Sequence, residues 1–180
     1  MKPKLTIGLS VLISLILLLF GLVYGNVSGY ADERAHVNAL LEGDSGLLTV
    51  VGYRASDALN LCVVAGRHLT GDTDVEALCA AAKALRQEAQ PLDTVKAEDA
   101  ALSDAFAAVA RKLAATASLK QSERDTQYLD MLSSDFEEYG QSEIFNTYNQ
   151  AAAEFNEKLS TPVMGDVARF FGVKALVLYQ

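Results

Sequence analysis

Residues 37–69 read VNALLEGDSGLLTVVGYRASDALNLCVVAGRHL, and their spacing decides the fold. Apolar side chains recur at Val37, Leu40, Leu41, Leu47, Leu48, Val51, Ala55, Ala58, Leu59, Cys62, Ala65 and Leu69, mostly in steps of three and four, with Asp44 as the exception. That period belongs to an amphipathic helix of roughly ten turns. The tract Glu42-Gly-Asp-Ser-Gly46 interrupts it with two glycines and two turn formers. Each Gly costs about 1 kcal/mol relative to Ala in a helix, so a kink is expected there.

The same period continues downstream. Thr70-Gly-Asp-Thr-Asp74 is a turn, with Gly71 available to end one helix and Asp72 or Thr73 to cap the next. A second helix carries Val75, Leu78, Cys79, Ala82 and Leu85 and ends at Pro91. A third carries Leu102, Phe106, Val109, Leu113 and Thr116, with Glu98 and Asp99 suited to its N-terminus. A fourth runs from about Ser122 to Ser160 through Leu129, Leu132, Phe136 and Tyr139, then Phe145, Tyr148, Ala152, Phe155 and Leu159. Its stripe slips between Tyr139 and Phe145, around Gly140. Strand-like alternation of comparable length is missing, and short links make neighbouring helices antiparallel. The expected fold is therefore all-α, an up-and-down bundle of about four helices over residues 25–162. The 16 Ala among residues 75–117 should let the second and third helices pack closely. The apolar tail, residues 163–180, is expected to pack on the bundle.

Upstream, residues 5–24 form an uncharged apolar run of 20 residues, about 30 Å long as a helix and enough to cross a bilayer. Lys2 and Lys4 precede it and Asp32 and Glu33 follow, so residues 1–4 are expected in the cytoplasm and residues 25–180 outside, anchored by an uncleaved signal-anchor helix. The competing reading is cleavage after Gly25 or Gly29, giving a secreted form. Ser10, Ser14, Gly21 and Gly25 fall within about 60° of one another on the span, a small-residue stripe on which two copies could pack as a homo-oligomer. Residues 25–180 hold all 23 acids and 13 of the 15 basic residues, a formal charge of -10, which disfavours nucleic acid as a partner.

Catalytic and metal constellations are weak. Gly43-Asp-Ser-Gly46 resembles a serine-hydrolase nucleophile tract, yet the only histidines are His36 and His68, and neither follows Ser45 near the C-terminus as the Gly-Asp-Ser esterases require. Asp72, Asp74 and Glu76 cap a helix more readily than they build a calcium loop, which needs about 12 residues and a terminal bidentate acid. Glu33-x-x-His36 is half of a di-iron pattern and has no second copy. Neither catalytic residue, metal nor cofactor is expected. Cys62 and Cys79 lie nine and eight residues from Gly71 on the two arms of a helical hairpin. They are expected to be reduced and buried, at equal height, so that oxidation can bridge them.

The order of these features resembles the LemA family, whose members pair an N-terminal membrane helix with a helical bundle. Tyr148-Asn149 and Phe155-Asn156 repeat an aromatic-Asn pair at heptad spacing, like the family's paired Tyr-Asn, and Leu159 and Pro162 follow. Ala168-x-x-Phe171-Gly172-Val173 looks like its Ala-x-x-Phe-Gly-Phe, and Arg54-Ala-Ser-Asp-Ala-Leu-Asn60-Leu61 is similar to its Arg-Arg-x-Asp-Leu-x-Pro-Asn-Leu. Tyr53, Ser56 and Leu59 depart from that pattern, as a divergent member would. The resemblance implies a bundle and an anchor but no biochemical activity. It also implies a short N-terminus outside, opposite to the orientation that the flanking charges favour.

The expected protein is thus a membrane-anchored, non-enzymatic helical scaffold or partner-binding module of a bacterial cell envelope. The alternative is a bundle that binds a lipid or small apolar ligand, with its opening between the second and third helices. Asn149 and Asn156 are expected to fix helix register, reaching Asn38 on the first helix.

Overall fold

The computed structural model describes residues 7–87 and 89–179, and its regular elements are helices: α1 (Ile7–Glu42), α2 (Leu47–His68), α3 (Thr73–Leu85), α4 (Leu92–Ala115), α5 (Ala117–Lys120), α6 (Glu123–Gly140), α7 (Glu143–Leu159) and α8 (Met164–Phe170). No strand occurs among the described residues, so the chain is all-α.

Helix boundaries differ from the sequence expectation at three places. The long first bundle helix is broken, not kinked, at Gly43–Gly46. A Cβ on Gly43 would lie 2.5 Å from the Ala39 carbonyl oxygen, and one on Gly46 would lie 2.8 Å from the Leu41 carbonyl oxygen, so both positions demand glycine. The Gly46 amide donates to the Gly43 carbonyl (2.7 Å) and the Thr49 hydroxyl to the same oxygen (3.2 Å), which closes the turn. The third bundle helix begins at Leu92, with Pro91 at its N-cap, so Glu98 and Asp99 lie inside α4 and not at its start. The fourth is split by Gln141 and Ser142 where the stripe slips, into α6 and α7. Upstream, the apolar run has no break at its C-terminal end, because α1 continues for 36 residues to Glu42. Lys2 and Lys4 lie outside the described residues.

The chain folds as two compact units, one of residues 1–38 with 150–176 and the other of residues 39–149 with 177–180. In the second, α2 packs against α3, α4 and α6, and α3 against α4. Its closed core is Leu47, Val51, Leu61, Leu78, Leu102, Val109 and Leu113. Leu61, and not Leu59, faces inward on α2. Alanines at 55, 58, 65 and 82 are fully buried and bring the helix backbones close. Gly71 takes φ +73 in the α2–α3 turn, and the Asp72 carboxylate caps α3 by accepting from the Asp74 amide (2.9 Å). That hairpin levels Cys62 with Cys79. The expectation of two reduced thiols is corrected: they form a disulfide, with Cα atoms 6.0 Å apart, inside the range such bonds span.

In the first unit, the end of α7 and the start of α8 bond to the part of α1 beyond its apolar run. Tyr30 meets Phe155 edge-on, with ring centroids 5.9 Å apart, and its hydroxyl donates to the Lys158 carbonyl (2.8 Å). Lys158 pairs with Glu33 at 2.9 Å. The apolar run is bare: Leu9 to Tyr24 present large exposed hydrophobic side chains, and none of the most apolar 18-residue window is buried. This is one helix long and apolar enough to cross a membrane. Its small-residue stripe is unoccupied space, with nothing within 4 Å of a Cβ built on Gly21 or Gly25, and Ser10 and Ser14 are exposed beside it.

Candidate functional site

The most elaborate polar arrangement in the second unit is built around Arg54. Its side chain is 8% exposed and that of Asp99 9%, two opposite charges removed from water. One guanidinium nitrogen donates to Asp99 Oδ1 and another to the Ser103 hydroxyl at 2.7 Å. Ser103 donates in turn to the Asp99 carbonyl at 2.8 Å, and the guanidinium carbon lies 4.4 Å from the centre of the Phe136 ring. Asp99 Oδ2 accepts from the Tyr179 hydroxyl at 2.7 Å. Burial first, and then the Asp99 charge, push the Tyr179 hydroxyl well above its usual range, so it remains a donor. Its ring stacks on Phe145, 5.1 Å between centroids. A hollow of about 220 Å³ beside the cluster is lined by Arg54, Lys96, Asp99, Gly140, Phe145 and Tyr179. Arg54 and Tyr179 both donate to the Asp99 carboxylate, and Ser103 links the guanidinium to the Asp99 carbonyl, so the arrangement holds α2, α4 and the chain end together.

The aromatic-Asn pairs serve the same end. Within the second unit, Asn149 Oδ1 accepts from the Tyr179 amide (2.7 Å) and the Tyr148 hydroxyl donates to the Val177 carbonyl (2.8 Å). Within the first unit, Asn156 donates to the Leu176 carbonyl (2.8 Å) and accepts from the Leu176 amide (2.7 Å), as a neighbouring peptide would. The expected partner Asn38 is exposed and takes no part in either. The correction has a simple cause: the tail has no regular secondary structure after Gly172, whose φ is +89, and presents bare peptide groups to α7. Amides flanking a core stripe satisfy those groups where a helix would have satisfied its own.

A second cluster joins α2, α5 and α6. His68 lies between the Ser118 hydroxyl, 3.0 Å from Nδ1, and Asp125 Oδ2, 3.0 Å from Nε2, while Arg67 donates to Asp125 Oδ1 at 2.6 Å. The hydrogen bond from His68, with Arg67 nearby, holds the Asp125 carboxyl below its usual range. Serine, histidine and aspartate in this order form the relay that a nucleophile needs. Here Arg67 also binds the carboxylate that would orient the ring, and Ser118 stands exposed on a four-residue helix. Ser45, the sequence candidate, is exposed in the Gly43–Gly46 turn, and His36 is exposed on α1. No group of three metal-ligating side chains occurs among the described residues.

Asn60 and Leu61 part company: Leu61 is core, whereas Asn60 lines a groove of about 290 Å³ with Val63, Arg67, Arg124, Tyr128 and Met131. About one turn back along α2 from Asn60, Asp57 has one carboxylate oxygen buried without a partner among the described residues. Burial and the charge of Asp135 raise its pKa to about 6. In the first unit, Phe155 and Ala168 are buried and Pro162 and Phe171 exposed. At the loop that joins α3 to α4 there is a hollow of about 450 Å³ lined by Leu48, Val51, Leu85, Gln87, Ala89 and Val95. The Asp99 and Tyr179 partnership and the His68 relay escaped the sequence reading, since nothing in spacing ties residues 50 to 80 positions apart. Compared with protein-family models, curated proteins and solved structures, the chain finds no match in any of the three.

Proposed function

We propose that this chain is a membrane-anchored, non-catalytic helical module of a bacterial cell envelope, LemA-like in plan, that holds a protein partner through its bundle. The observation that carries the reading is the exposed apolar run of α1, a surface that water disfavours and a bilayer's hydrocarbon accepts. The Cys62–Cys79 disulfide supports an extracytoplasmic bundle, because such bonds persist in oxidising compartments. Three residues of the LemA resemblance serve the fold: Arg54 is neutralised, and Asn149 and Asn156 bind backbone. The groove between α2 and α6 offers the partner face, since Val63, Tyr128 and Met131 are exposed apolar side chains flanked by Arg67 and Arg124 on an otherwise acidic chain. A partner with an apolar ridge and acidic rim fits it.

Affinity capture of the full chain from solubilised membranes, with mass spectrometry of proteins and lipids, tests the reading. A protein captured by the native chain and lost with Met131→Asp supports it, whereas stoichiometric lipid or small-molecule cargo without protein contradicts it. The non-catalytic part has its own check. The chain should resist a fluorophosphonate probe, and labelling abolished by Ser118→Ala would make the His68 relay an enzyme.

A further inference from the structure

We propose that α8 is a second membrane contact, lying in the headgroup layer beside the point where α1 leaves the bilayer. The inference rests on the reading of α1 as a membrane span. Asn26 is two residues past Tyr24, where the apolar run ends, and its side-chain amide donates to the Met164 carbonyl at 2.9 Å. That bond fixes the start of α8 at the height of the span's end. Tyr30 to Lys158, Glu33 to Lys158 and Arg34 to the Lys174 carbonyl (3.0 Å) hold the flanking segments against the same helix. The headgroup regions add about 5 to 8 Å on each side of the hydrocarbon core, so a helix at this height lies within them.

The side chains suit that layer. At 100° per residue Met164, Val167, Phe170 and Phe171 fall within an arc of about 120°. Gly165 and Ala168, which fall outside that arc, are buried. Gly165 is essential to the seat, since a Cβ there would lie 2.1 Å from the Leu159 carbonyl oxygen. Exposure is extreme for a seven-residue helix: Phe170 is 85% exposed, Phe171 56% and Met164 48%. Val163, 67% exposed, adds to the patch from a strained turn. Its φ of 69° and ψ of -65°, with the Met164 amide bonded to the Pro162 carbonyl at 2.9 Å, make a γ-turn that a β-branched residue rarely adopts. The turn tips the chain out of α7 and into α8 with its apolar arc outward. Arg169 and Asp166 pair at 2.6 Å on the remaining polar side. Aromatic and apolar faces backed by a polar one are what interfacial helices present to lipid. Continuity with the bare face of α1 selects the bilayer over a second copy of the chain or a soluble protein as the occupant.

The chain contains no Trp, so single-tryptophan variants report depth directly. The full chain is reconstituted in phosphatidylcholine vesicles in which a fraction of the lipid is brominated near the headgroup end of its acyl chains. Three variants are compared: Phe170→Trp, Phe20→Trp inside the span, and His36→Trp, exposed on α1 about 18 Å of helix rise beyond Tyr24. The expected result is blue-shifted emission and strong loss of fluorescence for Phe170→Trp and loss for Phe20→Trp, with His36→Trp unaffected. Quenching of Phe20→Trp alone overturns the proposal and leaves the anchor standing. A blue shift at Phe170→Trp without quenching also overturns it, in favour of a protein contact. Failure to quench Phe20→Trp overturns the anchor itself, and quenching of all three removes the assignment of contact to α8.

Discussion

Tyr179 donates its hydroxyl to Asp99 at 2.7 Å, 80 residues upstream in the sequence, and so ties the end of the chain to the charge that neutralises Arg54. Tyr179→Phe keeps the ring on Phe145 and removes only that bond. It should lower stability by about 1.5 to 3 kcal/mol, the usual worth of a hydrogen bond to a charged group. Because the folded pKa of Tyr179 is raised above its ordinary 10.0, the contribution is complete below pH 10 and is lost as pH climbs beyond it. Urea melts of both forms at neutral pH and near pH 11 check this: the gap between them should narrow at the higher pH.

Arg54 and Asp99 were legible only as separate residues. Arg54 stood in a tract similar to a family motif, and Asp99 looked like a helix-capping acid, because a carboxylate within a turn of a helix start is ordinary. What hid the pair was the extension of α4 back to Pro91, which moved Asp99 from the first turn to the buried stripe. Breaking a buried pair leaves one charge unmatched. Arg54→Met should therefore cost about 3 to 5 kcal/mol, and Asp99→Asn added to it should restore part of the loss. Arg54→Lys should not substitute for the native residue, since one ammonium cannot reach both Asp99 and Ser103 in the guanidinium's fork. Thermal denaturation of the four proteins decides it.

The long bundle helices α2, α3, α4, α6 and α7 were legible because the period of 3.6 survives in them, and the two breaks fell where glycine was visible, whereas the short α5 and α8 were not foreseen. The structural role of Asn149 and Asn156 was legible too, but not their partner. A run of apolar residues at the chain end gives no sign of lacking regular structure, so its unpaired peptides went unseen. Asn156→Ala would orphan both the amide and the carbonyl of Leu176, and Asn149→Ala the amide of Tyr179. Each should cost about 1 to 3 kcal/mol, Asn156 more. Hydrogen exchange gives the specific readout: the Leu176 amide should lose protection in Asn156→Ala and keep it in Asn149→Ala.

Asp57 and Asp125 should respond to pH with opposite signs. Asp57, raised from 3.8 to about 6, favours the folded state when protonated; that contribution is full below pH 4 and lost as pH rises to about 6. Asp57→Asn should then stabilise the protein at pH 7, by on the order of 1 kcal/mol once solvent screening is allowed for, and do little at pH 4. Asp125 is held low by His68 and Arg67, so its contribution is present above its ordinary 3.8 and lost on further acidification. Asp125→Asn should weaken the fold at pH 7. Chemical denaturation of the two variants at both pH values separates the signs.

An anchored bundle outside the cytoplasm is the central claim, and protease access to intact spheroplasts measures it most directly. If α1 spans the membrane with its apolar run and the disulfide-bearing bundle lies outside, added protease should remove the bundle from intact cells as completely as it removes a periplasmic control. A bundle that stays protected until the cells are lysed, while the control is digested, would contradict it.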